Sequence, residues 1–386
     1  MKKLLLPLFV FTSIFVNAQT TLSETFLYQG QSRHYLIYLP ANYVNNSVNP
    51  LIIHFHGYSS NSTIDMNFTK WMPVADTAGF LVVYPDGLTD NSGYEYWNVG
   101  WAWEPNTDDV SFVSALIDTI HERYNIDENR VYASGFSNGG FMCYMVAAEL
   151  SNKITAIGSV SGGMTPAIFD TAIPARAIPT IEVHGTSDAL VPYNGSNSTF
   201  ASVNTDTMVR FWAKNNLCSL IADSSVLPNV DTNDGTTVEH FVYPGGTNNA
   251  VSELYRIIGG QHLNWPGAGT GNNGDFSACS VLWNFFKGYT LSDFIGIAPL
   301  ETTKQLFSIF PQPASDHLTI SLQDLPNVSA QLSITVFSTL GKPVLKYDLN
   351  GHPGQFQLDL KSLPAGLYLL EVNDGNNSSI RSLIKN

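Results

Sequence analysis

Basic residues are scarce in this chain. Eighteen Lys and Arg stand against 32 Asp and Glu, giving a net charge of −14, and no basic stripe interrupts that excess. Nucleic-acid affinity rests on lysine and arginine neutralising phosphates, so DNA and RNA are excluded as partners. Cysteine is rarer still: Cys143, Cys218 and Cys279 are the only three, too few for a disulfide scaffold. No cysteine–histidine spacing suits a metal and HExxH is absent, so neither a metal nor another cofactor is expected. Long apolar runs are missing beyond the start. There, Met1-Lys2-Lys3, a largely apolar run from Leu4 to Val16 and Asn17-Ala18 before Gln19 have the layout of a secretory signal peptide cleaved after Ala18. A membrane anchor needs about 20 apolar residues and a stop-transfer flank. The expected mature chain is therefore exported and has no transmembrane segment.

What is present suffices for a substantial core. The 386 residues are 44% hydrophobic and 12% aromatic, which argues against disorder. An oxidising compartment allows one bridge and one buried thiol. Cys143 sits on an apolar helical stretch with Phe141, Met142 and Val146, which suits a core thiol. Cys218–Cys279 is then the only plausible pair.

Up to about residue 289, short apolar runs alternate with helical patterns. Leu51–Phe55, Phe80–Tyr84, Val131–Ser134, Ile154–Val160 and Ile181–Val183 each run into a glycine-bearing turn, as strands buried on both faces do. Val110, Val113, Leu116, Ile117 and Ile120, then Phe141, Met145, Ala148 and Leu150, recur at helical spacing. This alternation predicts an α/β fold, a doubly wound and mostly parallel sheet covered by helices. An antiparallel hairpin turning at Gln29-Gly30-Gln31 opens it. Residues 290–305 read as a linker. From residue 306 to 386 apolar residues alternate at period two, as in Leu318-Thr319-Ile320 and Leu332-Ser333-Ile334. That pattern predicts a small all-β sandwich.

Gly135-Phe136-Ser137-Asn138-Gly139 is the only G-x-S-x-G. It follows a strand and precedes a helix, the setting of a nucleophile elbow. Ser137 is the candidate nucleophile. The backbone N–H of Asn138, at a helix N-terminus, is a candidate oxyanion donor. Tyr58, after His56-Gly57, is the second. A serine hydroxyl also needs a base and an orienting acid. Asp188, in His184-Gly185-Thr186-Ser187-Asp188, and His262, in Gly259-Gly260-Gln261-His262, both follow buried runs. Functional loops of open α/β sheets lie at such strand ends, and the order Ser…Asp…His is that of α/β-hydrolases. His34, His54, His121 and His240 read as structural, His56 and His184 as core or bracing residues. Asp206, Asp223 and Asp231 compete less well for the acid role. Trp97, Trp101 and Trp103, with Tyr94 and Tyr96, form an aromatic loop that either receives an aromatic acyl group or sugar, or packs onto the body. Asp108 and Asp109 read as helix caps, and Trp265 as a pocket wall.

Taken together, His56-Gly57, Tyr84-Pro85-Asp86-Gly87, Trp97-Asn98, Asp108-Asp109-Val110, Gly135 to Gly140, His184 to Asp188 and Gly259 to His262 resemble secreted polyhydroxybutyrate depolymerase-like esterases. Those are similar to feruloyl and acetylxylan esterases of carbohydrate esterase family 1. The resemblance spans roughly residues 25–289. It implies an α/β-hydrolase with Ser137, His262 and Asp188 as its triad. The chain departs from the pattern at Tyr58, often Cys, and at Leu263-Asn264, where one residue usually separates His from Trp-Pro-Gly. Phe310 to Ser315, Val336 to Lys342 and Leu363 to Tyr368 resemble the C-terminal sorting module of the type IX secretion system, which implies secretion machinery as a partner and an extracellular or outer-membrane-surface location.

The expected organisation is thus a signal peptide (1–18), a catalytic domain (19–289), a linker (290–305) and a sorting domain (306–386). The expected activity is a secreted serine carboxylesterase acting on feruloyl or acetyl esters of plant polysaccharide. A polyhydroxybutyrate depolymerase, a prolyl-oligopeptidase-type serine peptidase and a non-catalytic surface adhesin remain as alternatives.

Overall fold

The computed structural model describes residues 19–44, 47–262, 265–267, 273–295, 307–311, 314–322, 332–338, 342–349, 354–373 and 378–386. The signal peptide and Leu263-Asn264 fall outside them. Two compact units emerge, one up to residue 296 and one from 297 to the end.

The first unit starts with β1 (Thr20–Tyr28), β2 (Gln31–Leu39), β3 (Asn49–Phe55), α1 (Ser62–Thr69), α2 (Met72–Ala78) and β4 (Leu81–Pro85). A two-residue hairpin, β5 (Leu88–Thr89) with β6 (Glu95–Tyr96), precedes α3 (Asp109–Arg123). Then come β7 (Ile126–Phe136), α4 (Asn138–Glu149), β8 (Ala156–Val160), α5 (Pro166–Thr171), β9 (Thr180–Gly185) and α6 (Thr205–Asn215). The unit closes with β10 (Asp223–Val226), β11 (Thr237–Tyr243), β12 (Ser252–Ile258), α7 (Ala278–Phe286) and α8 (Ser292–Ile295).

Ten strands form one sheet in the order β1-β2-β4-β3-β7-β8-β9-β12-β11-β10. The six from β4 to β12 are parallel, and antiparallel strands flank them. This is the doubly wound α/β-hydrolase architecture expected from the alternating runs. Side chains of a strand alternate between sheet faces, and the central strands are apolar on both. Leu51, Ile53 and Phe55 join the core under α3, α4 and α6, whereas Ile52 joins the core under α2 and α7. Continuous apolar runs are the sequence signature of that two-sided burial.

Three expectations need correction. Helix α4 is not a one-sided amphipathic helix: Phe141, Met142, Cys143, Tyr144, Val146 and Ala147 are all buried, while Met145, Ala148 and Leu150 are only partly so. It lies between β7 and β8 on one side and α3 on another, so little of it meets water. The pair Cys218–Cys279 does not form, and all three thiols are free. Cys218 lies in the core under α6 and Cys279 in the core under α7, with the sheet between them. Finally, the linker does not begin at 290. The Leu291 N–H donates to Asn129 O at 2.7 Å, and Leu291 and Phe294 are buried. Residues 296–305 lie outside the described ones.

The second unit comprises β13 (Phe307–Phe310), β14 (His317–Leu322), β15 (Leu332–Ser338), β16 (Pro343–Leu349), β17 (Gln355–Asp359), β18 (Gly366–Asn373) and β19 (Ser378–Lys385). They make two antiparallel sheets, β13-β14-β17 and β16-β15-β18-β19. Leu318, Ile320 and Leu358 of the first share a core with Ile334, Val336, Leu370 and Val372 of the second, the inward halves of period-two strands.

Candidate active site

Strand β7 turns into α4 within one residue. Ser137 makes that turn at φ 53°, ψ −119°, a strained conformation for a residue with a side chain. Glycine is a steric requirement on both sides of it. A Cβ on Gly135 would lie 2.2 Å from the Gly139 carbonyl oxygen, and one on Gly139 would lie 2.0 Å from that of Phe55. The turn therefore seats α4 directly against β3 and lifts the Ser137 hydroxyl above the sheet.

Strands β9 and β12 are parallel neighbours, with His184 beside Arg256 and Gly185 beside Ile257. Their C-terminal loops emerge side by side and are laced together. The Ser187 N–H donates to Gly260 O at 2.8 Å, and the Gly259 N–H to Thr186 Oγ1 at 3.0 Å. Asp188 and His262 are thereby brought together although 74 residues separate them. His262 Nδ1 lies 2.9 Å from Asp188 Oδ2, and its Nε2 lies 2.9 Å from Ser137 Oγ. The other Asp188 oxygen accepts the Leu190 and Val191 N–H groups at 2.9 and 2.8 Å. Burial alone would raise the Asp188 pKa, but hydrogen bonds from His184 and His262 outweigh it and hold the carboxyl well below the usual carboxylate range. The result is a buried, ionised acid behind the imidazole.

Tyr58 and Asn138 both line the cavity that Ser137 opens into. Among the described residues neither N–H is engaged by another protein acceptor, so both are available to an oxyanion. The loop carrying Tyr58 is tightly held. His56 Nδ1 donates to Gly57 O at 2.7 Å, its Nε2 accepts the Gly87 N–H at 2.9 Å, and Trp97 Nε1 donates to His56 O at 3.1 Å. Burial lowers the His56 pKa, which suits this neutral tautomer. His56, Asp86 and Glu95 have donor atoms within 4.8 Å of one another. The Gly87 amide already takes the free His56 nitrogen, and His34 and the Ser62 N–H take Asp86.

The cavity has a volume of about 400 Å³. Ile64, Phe68, Phe136, Leu190, Phe200 and Trp101 supply its apolar walls, and among the described residues no Lys or Arg side chain lines it. Of the four tryptophans proposed as substrate contacts, only Trp101 borders it. Trp97 is fully buried: its backbone N–H and C=O are both bonded to the Asn138 side chain, at 2.7 and 3.0 Å, and its ring stacks on Phe112. Trp103 stacks on Trp101 but borders the neighbouring groove. Trp265 is buried behind Phe136 and His54. Burial removes Trp97 and Trp265 from the pocket, while Trp103, only partly buried, is turned to the groove beside it. Asp109 is likewise more than a cap. It binds Arg33 at 3.3 Å and accepts the Asn98 N–H at 2.9 Å, while Asp108 caps α3 through the Ser111 N–H.

Several pocket residues gave no sequence signal. Phe200 and Leu190 lie on loops, and Ile64 and Phe68 on α1, without any motif around them. Phe136 was discoverable only as the variable position of the elbow. Glu104 escaped as well. Its Oε2 accepts the Val99 and Trp101 N–H groups at 3.0 and 2.9 Å, which pins the aromatic loop, and burial raises its pKa to about 7.

Because Asn138 clamps that loop with both ends of its amide, Asn138→Ala is expected to cost about 2–4 kcal/mol of stability. Urea unfolding of wild type and variant measures it; a loss below about 0.5 kcal/mol would show that the clamp contributes nothing.

The fold, the elbow and the Ser137–His262–Asp188 alignment together have the arrangement of an α/β-hydrolase. Residues 33–190 match the family described as esterase PHB depolymerase, and residues 308–386 match the secretion system C-terminal sorting domain. The family resemblance read from the motifs therefore holds for both parts of the chain, and the sorting domain marks a secreted or cell-surface protein. Among curated relatives, a bifunctional acetylxylan esterase/xylanase of Neocallimastix patriciarum is 38% identical over 165 residues, 43% of this chain and 23% of that protein. Feruloyl esterase B of Piromyces equi is 28% identical over 195 residues, 48% of this chain and 36% of that one. Among solved structures, a CE1 ferulic acid esterase of Anaeromyces mucronatus is 14% identical, covering 73% of this chain and 94% of its own, with a TM-score of 0.45. The chain spans about a quarter to three fifths of the length of the curated relatives it matches. Among the described residues no helix is long and apolar enough to cross a membrane.

Proposed function

We propose that the protein is a secreted serine carboxylesterase that works through an acyl-enzyme. Ser137 Oγ attacks the ester carbonyl while His262 Nε2 takes its proton. The Tyr58 and Asn138 N–H groups stabilise the tetrahedral oxyanion, and Asp188 holds the imidazolium. His262 then returns the proton to the departing alcohol, and water attacks the acyl-enzyme by the same route. The 2.9 Å contacts on either side of His262 carry this reading.

The cavity supports a reading of the substrate class. At about 400 Å³ with apolar, partly aromatic walls, it exceeds what an acetyl group needs and suits a neutral aromatic acyl group. Among the described residues no Lys or Arg lines the cavity, which favours an uncharged acyl group. Feruloyl esters of plant polysaccharide are therefore the favoured substrate, with acetyl esters next. The match of residues 33–190 to the PHB depolymerase family supports hydroxyalkanoate polyester as the second reading. Initial rates on methyl ferulate, acetylated xylan, hydroxybutyrate oligomers and a peptide panel rank these; faster cleavage of peptides than of any ester would sink the esterase reading. Failure of a fluorophosphonate probe to label Ser137 would point to a non-catalytic adhesin.

Trp101→Ala tests the aromatic wall. It is expected to lower kcat/KM for methyl ferulate about tenfold, corresponding to loss of one aromatic contact, and to change that for p-nitrophenyl acetate far less. Equal losses on both esters would show that Trp101 does not read the acyl group.

A further inference from the structure

Behind the acid of the triad lies a second histidine that the proposed mechanism leaves unused. His184, near the end of β9, is 1% exposed. Its Nδ1 lies 3.0 Å from Glu182 Oε1, and its Nε2 lies 2.8 Å from Val191 O and 3.5 Å from Asp188 Oδ2. The other Glu182 oxygen accepts the Tyr144 hydroxyl at 3.0 Å. Each of the three partners of this ring is an oxygen with lone pairs to offer. An imidazole satisfies oxygens at both nitrogens by donating from both, which requires the charged form. Glu182 is itself fully buried, and a lone carboxylate there would be costly without a cation beside it.

We propose that His184 is a positioning residue: held as an imidazolium between Glu182 and Asp188, it fixes the 188–191 loop and lowers the pH at which His262 becomes an effective base. The role rests on the triad acting as proposed above. Burial on its own would discharge the His184 ring, but its bonds to Asp188 and Glu182 hold the pKa up at about 10. The other titratable groups facing it do not supply a competing charge. Cys143 and Tyr144 of α4 and Tyr193, whose ring is 5.8 Å away, are all pushed upward by burial and stay neutral. Asp206 of α6 is bonded to the Tyr193 hydroxyl, and Arg256, the β12 neighbour of His184, is paired with Glu239.

The sign of the effect is fixed by distance. His184 Nε2 lies 3.5 Å from Asp188 Oδ2 while Glu182 sits on the opposite ring nitrogen, so the cation faces the Asp188–His262 pair and disfavours a proton on His262. Removing both charges leaves Asp188 to hold that proton more strongly. The double variant Glu182→Gln/His184→Gln is therefore expected to move the acid limb of kcat/KM for p-nitrophenyl acetate upward by about half a pH unit or more. Its kcat on the alkaline plateau is expected to stay within about tenfold of wild type. A folded double variant with an unmoved acid limb would overturn the proposal. Nitrogen NMR of histidine-labelled wild-type protein gives a reading that needs no variant to fold: both His184 ring nitrogens are expected to carry protons near pH 7, and a neutral ring would overturn the proposal equally. Full activity in Ser137→Ala would instead overturn the esterase reading, whereas the NMR result involves no turnover and judges the His184 charge separately.

Discussion

Ser137→Ala is expected to lower kcat for p-nitrophenyl acetate by about 10⁴- to 10⁶-fold while leaving the fold intact. Losses of that size follow when the nucleophile of a cooperating triad is removed, since the remaining groups retain only binding and oxyanion stabilisation. The hydroxyl bonds His262 and, among the described residues, no other side chain. Alanine at φ 53° carries the same backbone strain as serine. Thermal unfolding within about 2 °C of wild type is the corresponding control for a surface-like change of well under 1 kcal/mol. A variant that keeps a tenth of wild-type kcat would remove Ser137 from the mechanism.

Gly139→Ala is expected to have the largest effect on stability. The added carbon would lie 2.0 Å from the Phe55 carbonyl oxygen and 2.7 Å from that of His56. Both atoms belong to backbone at the end of β3, which cannot rotate aside as a side chain can. Relief requires moving α4 off the sheet, at a cost of about 3 kcal/mol or more, corresponding to a Tm lower by about 6–12 °C for a unit of this size. Gly57→Ala serves as the contrast, because its Cβ would meet neighbours at 3.4–3.6 Å, ordinary contact distances. Scanning calorimetry of the two variants decides the matter; equal Tm values would mean that the elbow relaxes freely.

Much of the site was legible because its chemistry is local in the chain. Glycines at 135 and 139 around a serine, between an apolar run and a helix, declare a turn that few other residues tolerate. Asp188 and His262 could be proposed because each ends a recognisable buried strand. The tryptophans show where that kind of reading stops. Trp97, Trp101 and Trp103 are nearly identical in sequence context, yet one fills the interior, one walls the cavity and one faces the next groove. Nothing in composition separates an indole that packs from one that binds. The same holds for the cysteines: a count of three suggests one bridge, but which face of a sheet each thiol occupies depends on helix placement.

Strand and helix order, the elbow and the change from mixed to all-β patterning were all determined by the sequence itself, since each depends on neighbours within a few residues. The pairing of β9 with β12, the 2.9 Å contacts of His262, the shape of the cavity and the carboxylates enclosing His184 were decided by the tertiary structure alone. They arise from parallel packing of segments 70 or more residues apart, and local periodicity carries no information about which distant loop ends lie side by side.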